Sequence, residues 1–361
     1  MQKKTAIIIS PNWRDYAKKY LDDCLDSLVK QDYIGECKYF FIDNESTEES
    51  FAFFKRSIEK ILPTNFDREI IRIAHNSGFA EANNEAMKLA LEQNYNYIIL
   101  LNIDTIADFS TIKTLVETAE SDPSIGAVQP RLMLWPDKEK INSLGNATHF
   151  LGFGFSNGYG ELFQNSKFKI QNLDAIFYPS GAAVLFRAEV LKQIGLFDEE
   201  FWMYAEDQDL GWRIWLAGYK CVLSPEAIVY HKYEFSRSIS KYYWMDRNRF
   251  IVLFKNFKIA TLLLIFPALL IMEIGLLLFS IKGGWFKEKL SVYKYLLKPT
   301  AWKYLIKTRQ DTQKLRKIKD RELVPMLSSK IAYQEIDSPA LKIANVIFTI
   351  YWKLLNKIII W

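Results

Sequence analysis

The run Asn96-Tyr97-Ile98-Ile99-Leu100-Leu101-Asn102-Ile103-Asp104-Thr105 decides how the rest of the chain is read. Residues 97–101 are apolar without interruption, the pattern of a central parallel strand buried on both faces. The run ends in Asn-x-Asp-Thr, a cluster of oxygen ligands. In open α/β sheets, ligands sit just beyond the carboxyl ends of the strands. A carboxylate there can hold a hard divalent cation, Mg²⁺ or Mn²⁺, with substrate phosphates completing the shell. An Asx-rich turn that merely caps the next helix has the same composition. The neighbouring segments decide between the two.

Residues 5–10 read as a first buried strand, stopped by Pro11-Asn12, and residues 38–43 as a second, ending in Asp43. A third covers 69–74. Helical spacing fills the gaps over 15–29, 48–61 and 80–91; in the first of these Leu21, Leu25 and Leu28 share a face. Strands alternating with helices argue βαβ units and a parallel sheet. Asn12, Asp43 and Asp104 then lie along one edge, which is harder to assign to chance than one polar turn.

Further on, a helix over 109–120 and a strand over 125–129 give way to a Gly-, Asn- and aromatic-rich stretch. Residues 130–166 are expected to form loops or a small hairpin over the sheet. The glycines between 152 and 160 lack both a preceding strand and a following helix, so they are not a phosphate loop. A strand over 182–186 follows, then a helix over 206–217 that opens on Glu206, Asp207 and Asp209. Capping by the helix dipole would account for acidic residues there. Asp209 also stands i,i+4 to Arg213, the spacing of a structural ion pair. A short strand over 228–230 ends at His231.

Composition narrows the class. The 361 residues, 50% of them hydrophobic, can bury one large core or two ordinary ones. Three cysteines without a C-x-x-C pair suggest neither a disulfide framework nor a zinc site, and point to a reducing cytosol. Three histidines without an H-x-x-x-H pair disfavour a zinc hydrolase. The apolar run over 6–9 is too short for a signal peptide.

The order of these motifs resembles that of the inverting family 2 glycosyltransferases with the GT-A fold, rhamnosyltransferase-like branch. The resemblance spans roughly residues 5–255. It rests on Ile9-Ser-Pro-Asn12, Ile42-Asp-Asn-Glu-Ser-Thr-Glu48, Asn76-Ser-Gly-Phe-Ala-Glu-Ala-Asn-Asn84, Leu101-Asn-Ile-Asp104, Ser180-Gly-Ala182 and Glu206-Asp-Gln-Asp-Leu-Gly-Trp-Arg213. It implies a Rossmann-like, mostly parallel α/β sheet with flanking helices. It implies that Asp43, near Asn12, reads the nucleobase of a nucleotide-diphosphate sugar. Asp104 would be the metal-binding aspartate of the D-x-D element, with Asn102 in its first position. Asn76, Gly78 and Asn83 would lie near the diphosphate, Ser180 and Gly181 in the sugar pocket, and His231 as a later metal or diphosphate contact. Asp207 would be the catalytic base.

Three other readings remain. An aspartate-nucleophile phosphatase also uses D-x-D-x-T, but its nucleophile position holds Asn102, and an amide cannot form the acyl phosphate. A nucleotidyltransferase shares the sheet and the metal logic. A non-catalytic, membrane-bound sugar-binding scaffold would not need Asp104 and Asp207 together.

The last third of the chain reads differently, and we divide the sequence into a catalytic domain, 1–255, and a helical, basic, membrane-associated region, 256–361. Residues 259–281 are almost all apolar, broken by Pro267 and Glu273, and long enough to span a bilayer. Arg247, Arg249, Lys255 and Lys258 precede them, and residues 282–322 carry thirteen Lys/Arg against four Asp/Glu. One crossing cannot place both flanks on the positive side. A re-entrant or interfacial hairpin bent near Pro267 is therefore expected, at the cytoplasmic face of the cell membrane. Ile343, Ile347, Ile350, Leu354 and Ile358 share one face of a final helix, the pattern of a helix lying in the interface. A basic, membrane-hugging tail suggests a lipid-linked or glycan acceptor and no nucleic acid.

Overall fold

The computed structural model describes residues 3–165, 174–233, 239–332 and 339–361; residues 166–173, within or beside the expected loops, lie outside the described residues. The first four strands are β1 (Lys4–Arg14), β2 (Glu36–Ser46), β3 (Asp67–Ile73) and β4 (Tyr97–Asn102). All pair in parallel, in the order β3-β2-β1-β4. Between them run α1 (Asp22–Val29), entered through a π-helical turn at Ala17–Leu21, then α2 (Glu48–Ile61) and α3 (Gly78–Glu92). The alternation along β1 and β4 feeds two cores. Ile7, Ile9, Ile99 and Leu101 enter one, and Ala6, Ile8, Ile98 and Leu100 enter the other. Helices on both faces of the sheet are why these strands read as unbroken apolar runs.

Beyond β4 the sheet is mixed. The chain continues through β5 (Thr105–Ala107), α4 (Thr111–Ser121), β6 (Ile125–Leu134), β7 (Ile141–Ser143), β8 (Asn146–Thr148), β9 (Gly154–Ser156), β10 (Ala183–Arg187), α5 (Ala188–Ile194), α6 (Glu206–Leu216) and β11 (Lys220–His231). β10 lies between β4 and β6, antiparallel to both, and β11 pairs parallel with β6 and antiparallel with β5. The α/β class stands, but "mostly parallel" holds for only half of the sheet. Ala183 lies opposite Leu101 and Arg187 opposite Tyr97, so β10 enters from the carboxyl edge of β4 and runs back down. The strand expected over 125–129 continues to Leu134 through Pro130. Pairing with β10 stops at Val128 and pairing with β7 starts at Leu132, which leaves Pro130 in an edge-like gap where a strand tolerates proline.

Six helices follow among the described residues: α7 (Ser240–Asn256), α8 (Ile259–Lys282), α9 (Phe286–Leu296), α10 (Pro299–Leu315), the single turn α11 (Asp320–Leu323) and α12 (Pro339–Ile358). α8 runs unbroken through Pro267, so the expected hairpin does not form there. A proline inside a helix costs about 3 kcal/mol; the packing of Ile265, Ala268 and Met272 into the core carries α8 past it. α8 is tied to α7 through Glu273 and Arg249 and packs against α9. Glu273 at its middle meets Arg249 and accepts from Lys289 Nζ at 2.5 Å and Tyr293 Oη at 3.0 Å. A third core joins Phe150, Phe201 and Trp212 to Ile265, Phe348 and Trp352.

The outward sides of α8 and α12 remain apolar and exposed. Leu263, Ile271, Ile274 and Leu278 face out on one, and Ile343, Ile347, Ile350, Leu354 and Ile358 on the other. The two helices touch through Tyr351 Oη on the Leu264 carbonyl and Trp361 Nε1 on Thr261 Oγ1. Part of the basic excess over 282–322 faces inward. Lys289 is buried between Asp246 and Glu273, Arg309 donates to the Phe257 carbonyl at 2.6 Å, and Arg316 pairs with Asp320 at 2.7 Å.

Candidate active site

Three adjacent strands deliver the first part of the site. Asn12 lies opposite Asp43, and Ser10 opposite Asn102, so the ends of β2, β1 and β4 stand side by side. Asp43 is fully buried and accepts from Asn12 Nδ2 at 2.8 Å and from Ser46, with Arg72 Nε at 3.3 Å. Burial pushes its carboxyl above the usual range, against the pull of those three partners. Its Oδ2 has no hydrogen-bond partner. Arg72, stacked over Phe51 at 4.1 Å and bonded to Glu48, escaped the sequence reading because its signal is only its register opposite Asp43.

The α3 entry is built around Gly78 at φ 77°. A Cβ there would meet the Trp202 carbonyl oxygen at 2.4 Å, so only glycine fits. Asn76 Oδ1 accepts from Gly78 N at 3.1 Å, and Asn44, directly after Asp43, donates to the Gly78 carbonyl at 3.0 Å. Asn83 receives Ser10 Oγ and donates to the Phe79 carbonyl at 2.8 Å, so its side chain braces β1 against α3.

Asp104 and His231 are brought together by the β5–β11 pairing. Thr105 lies opposite His231, and Lys232 N donates to the Asp104 carbonyl at 2.9 Å. His231 Nε2 then stands 3.3 Å from Asp104 Oδ1. Its Nδ1 lies 3.0 Å from Asn142 Oδ1; with the proton on Nδ1, Nε2 would turn a lone pair toward the carboxylate. Asp104 Oδ1 and Asn102 Oδ1 are buried without hydrogen-bond partners. Lone pairs converging from a carboxylate and an imidazole fit a divalent cation that takes its remaining ligands from phosphate oxygens. Among the described residues no cluster of three such side chains occurs, so substrate oxygens would have to complete the shell.

The opposite wall comes from α6. Asp207 Oδ2 accepts from Gly181 N at 3.1 Å and Oδ1 from Gln208 N at 2.8 Å. Burial pushes its carboxyl up to about 6, with those two amides holding it lower than burial alone would. Ser180 N donates to Gln129 Oε1 at 2.7 Å, which ties the sugar-pocket candidates to β6. Glu206 is buried, with Oε2 unpartnered; burial and then the neighbouring Asp207 raise its carboxyl well above the usual range. Asp209 does the structural work expected of it. It binds Arg213 Nε and Lys255 Nζ, each at 2.9 Å, and these cations outweigh burial and hold it below the usual range.

The loop before Asp207 is strained: Trp202, Tyr204 and Ala205 all have φ between 58° and 68°. Asn248 of α7 holds it. Its fully buried amide nitrogen reaches the carbonyls of Phe201, Met203 and Tyr204 at 2.9, 2.9 and 2.7 Å. On the other side the Trp202 carbonyl accepts from Phe79 N at 2.7 Å and Ala80 N at 3.2 Å, satisfying the first turn of α3. A cavity of about 400 Å³ takes in Asp207, Ser180 and His231 on one side and continues toward α8. Asn12 and Asp43 lie away from that cavity, at the far end of the row of strand ends.

Residues 4–250 match the family described as glycosyltransferase like family 2. The poly-beta-1,6-N-acetyl-D-glucosamine synthase of Staphylococcus aureus (strain COL) is 27% identical over 210 residues, 58% of this chain and 45% of that protein. The synthase of the same name from Staphylococcus epidermidis is 26% identical over the same length. The chain thus spans under half the length of these curated relatives. Among solved structures, S. aureus TarS 1–349 in complex with UDP shares the fold at a TM-score of 0.50, with 18% identity, covering 98% of this chain and 90% of that one. GalNAc-T7 with UDP, GalNAc and Mn²⁺ does so at 0.50, with 16% identity over 68% of this chain and 47% of that one.

Proposed function

Because the chain belongs to glycosyltransferase like family 2, we propose that it transfers a hexosyl unit, with inversion, from a nucleotide-diphosphate sugar to a hydroxyl of a lipid-linked glycan acceptor. One observation carries this reading. A carboxylate held by a backbone amide, Asp207, shares a cavity with His231, whose Nε2 faces Asp104. The two groups suit the two charges of the reaction. Asp207 takes the proton of the acceptor hydroxyl as its oxygen bonds to the anomeric carbon. The bond from that carbon to the diphosphate breaks on the other face, and the diphosphate departs toward Asp104 and His231. A divalent cation, Mg²⁺ or Mn²⁺, held by those two would supply charge neutralisation for the leaving group. Asp43, Asn12 and Arg72 receive the base, and Asn76, Gly78 and Asn102 lie along the diphosphate, with Asn83 bracing them. Ser180 and Gly181 border the sugar.

Asn102 in the first D-x-D position favours the rhamnosyltransferase-like branch, while the curated relatives are N-acetylglucosamine polymer synthases, so both sugar types belong in any panel. The apolar sides of α8 and α12 suit peripheral attachment at the cytoplasmic face of the membrane. α8 is the one helix among the described residues long and apolar enough to cross a bilayer, but both of its flanks return to the same body. That geometry favours a helix lying in the interface.

The test is product analysis with nucleotide sugars labelled in the sugar and in the β-phosphate. Free nucleoside diphosphate and a product of inverted anomeric configuration are expected. Release of sugar 1-phosphate carrying the β-label would replace sugar transfer with nucleotidyl transfer, and retained configuration would remove the single displacement.

A further inference from the structure

The cavity that begins at Asp207 does not end in sugar-sized space. Its lining also takes in Phe153 and Tyr242, Leu276 and Phe279 of α8, and Trp285. We propose that this far half is a subsite for an apolar chain carried by the acceptor, so that the acceptor lies with its hydroxyl at Asp207 and its hydrocarbon along the inner side of α8. The inference rests on the sugar-transfer reading for its orientation and adds to it the seat of the acceptor's aglycone.

The wall is made of apolar faces in fixed positions. Trp285 stacks on Tyr242 at 4.8 Å and 18°, and Phe279 meets the Trp285 ring edge-on at 6.0 Å. Of the charges nearest this half, Asp246 pairs with Arg249 and Lys289 at 2.7 Å each and Glu273 with Lys289 at 2.5 Å, while buried Lys241 also lines the cavity. A methylene chain gains by leaving water against the apolar part of this wall. Phe279, half-buried, lines the cavity, while Leu278, its neighbour, is exposed on the outer apolar face. Lumen and outer surface are thus neighbouring faces of one helix, since consecutive residues stand about 100° apart. A chain that passes the rim of α8 moves from one apolar surface to another without crossing water.

Methyl and decyl β-D-glucopyranoside, below the micellar concentration, separate this from other readings. Their binding to the full chain is followed by calorimetry with UDP and Mn²⁺ present. The decyl compound is expected to bind ~10-fold or more tightly than the methyl compound, because its added methylenes are buried. Phe279→Ser should remove most of that preference and Leu278→Ser should keep it. Leu276→Trp, which fills the lumen without deleting packing, should remove it as well and guards against misfolding of the serine variant. Equal binding of the two glycosides, equal effects of the 278 and 279 variants, or tighter binding of cellotetraose than of the decyl compound would each overturn the subsite. Binding of the decyl chain is independent of turnover, so a failed transfer assay and a failed subsite are distinguishable.

Discussion

The two ends of the site are assembled in different ways. At the end proposed to bind the nucleotide, Asn12, Asp43 and Asn102 are carried by neighbouring parallel strands, and the register of β1 with β2 and β4 alone puts them side by side. At the end proposed for the acceptor, Asp207 follows three residues of left-handed backbone and is held by Gly181, while its loop is held by Asn248 from another helix. The first end is a property of a sheet edge and inherits the sheet's rigidity. The second is a property of long-range packing and can be loosened without unfolding the sheet.

Asp207→Asn tests the division most severely. Loss of a general base typically costs ~10²–10⁴ in rate, while nucleotide-sugar binding, measured by calorimetry with Mn²⁺, should stay near wild type. The wild-type rate should rise with pH through about 6 and level off above it, as Asp207 ionises. Stability should move the other way. The folded carboxyl binds protons more tightly than the unfolded one, whose ordinary value is 3.8, so its contribution declines as pH rises through the window up to about 6. Asp207→Asn should therefore melt at a higher temperature than wild type at pH 7.5. A dead Glu206→Gln beside an active Asp207→Asn would move the base by one residue.

Asp104→Ala strikes the border between the two ends. Leaving-group stabilisation by a metal is worth several kcal/mol, ~10²-fold or more in rate. A divalent titration should lose its rate response in this variant while the melting temperature holds. Wild-type turnover across that titration would reject the metal pair. A smaller effect is expected from Ile274→Asp combined with Ile350→Asp on the outer faces of α8 and α12. Flotation with anionic vesicles should fall ~10-fold or more, since each buried side chain of this kind contributes about 1.5–3 kcal/mol, with sugar transfer to a soluble acceptor preserved. Unchanged flotation would place the membrane contact elsewhere. Asn248→Ala should have the mildest effect, about 1–3 kcal/mol of stability from carbonyls left unpaired. Its fall in turnover should come without a change in nucleotide affinity. Equal losses at both ends would erase the distinction between them.

What could be read from the sequence follows the same line. Strand ends are local, so Asn12, Asp43, Asn102 and Asp104 could be placed from apolar runs and the residues that stop them. Asp209 and Arg213 were legible because their spacing is one turn of helix. Gln129, Asn142 and Asn248 were not, because each acts on a residue more than forty positions away. Glu273 reads as an interruption in a lipid-facing run, yet it is the point where α8 grips the body. Lys289, Arg309 and Arg316 read as surface charge, although they close the ends of helices and buried acids. A charge count carries no direction, and direction is what separates a basic surface from a basic core.

The grip of α8 through Glu273 also sets an order of assembly. The sheet is complete once the chain has been made as far as His231, and its strands can pair as they emerge from the ribosome. Asn248 and Arg249 follow soon after; Arg249 pairs with Asp246 on the same helix, and Glu273 and Lys289 join them only when α8 and α9 have been made. The row of strand ends can thus form early, whereas this cluster of four charges closes only when α8 and α9 have been synthesised and folded back. Birth order therefore fixes the sheet edge before the exposed apolar side of α8 is seated.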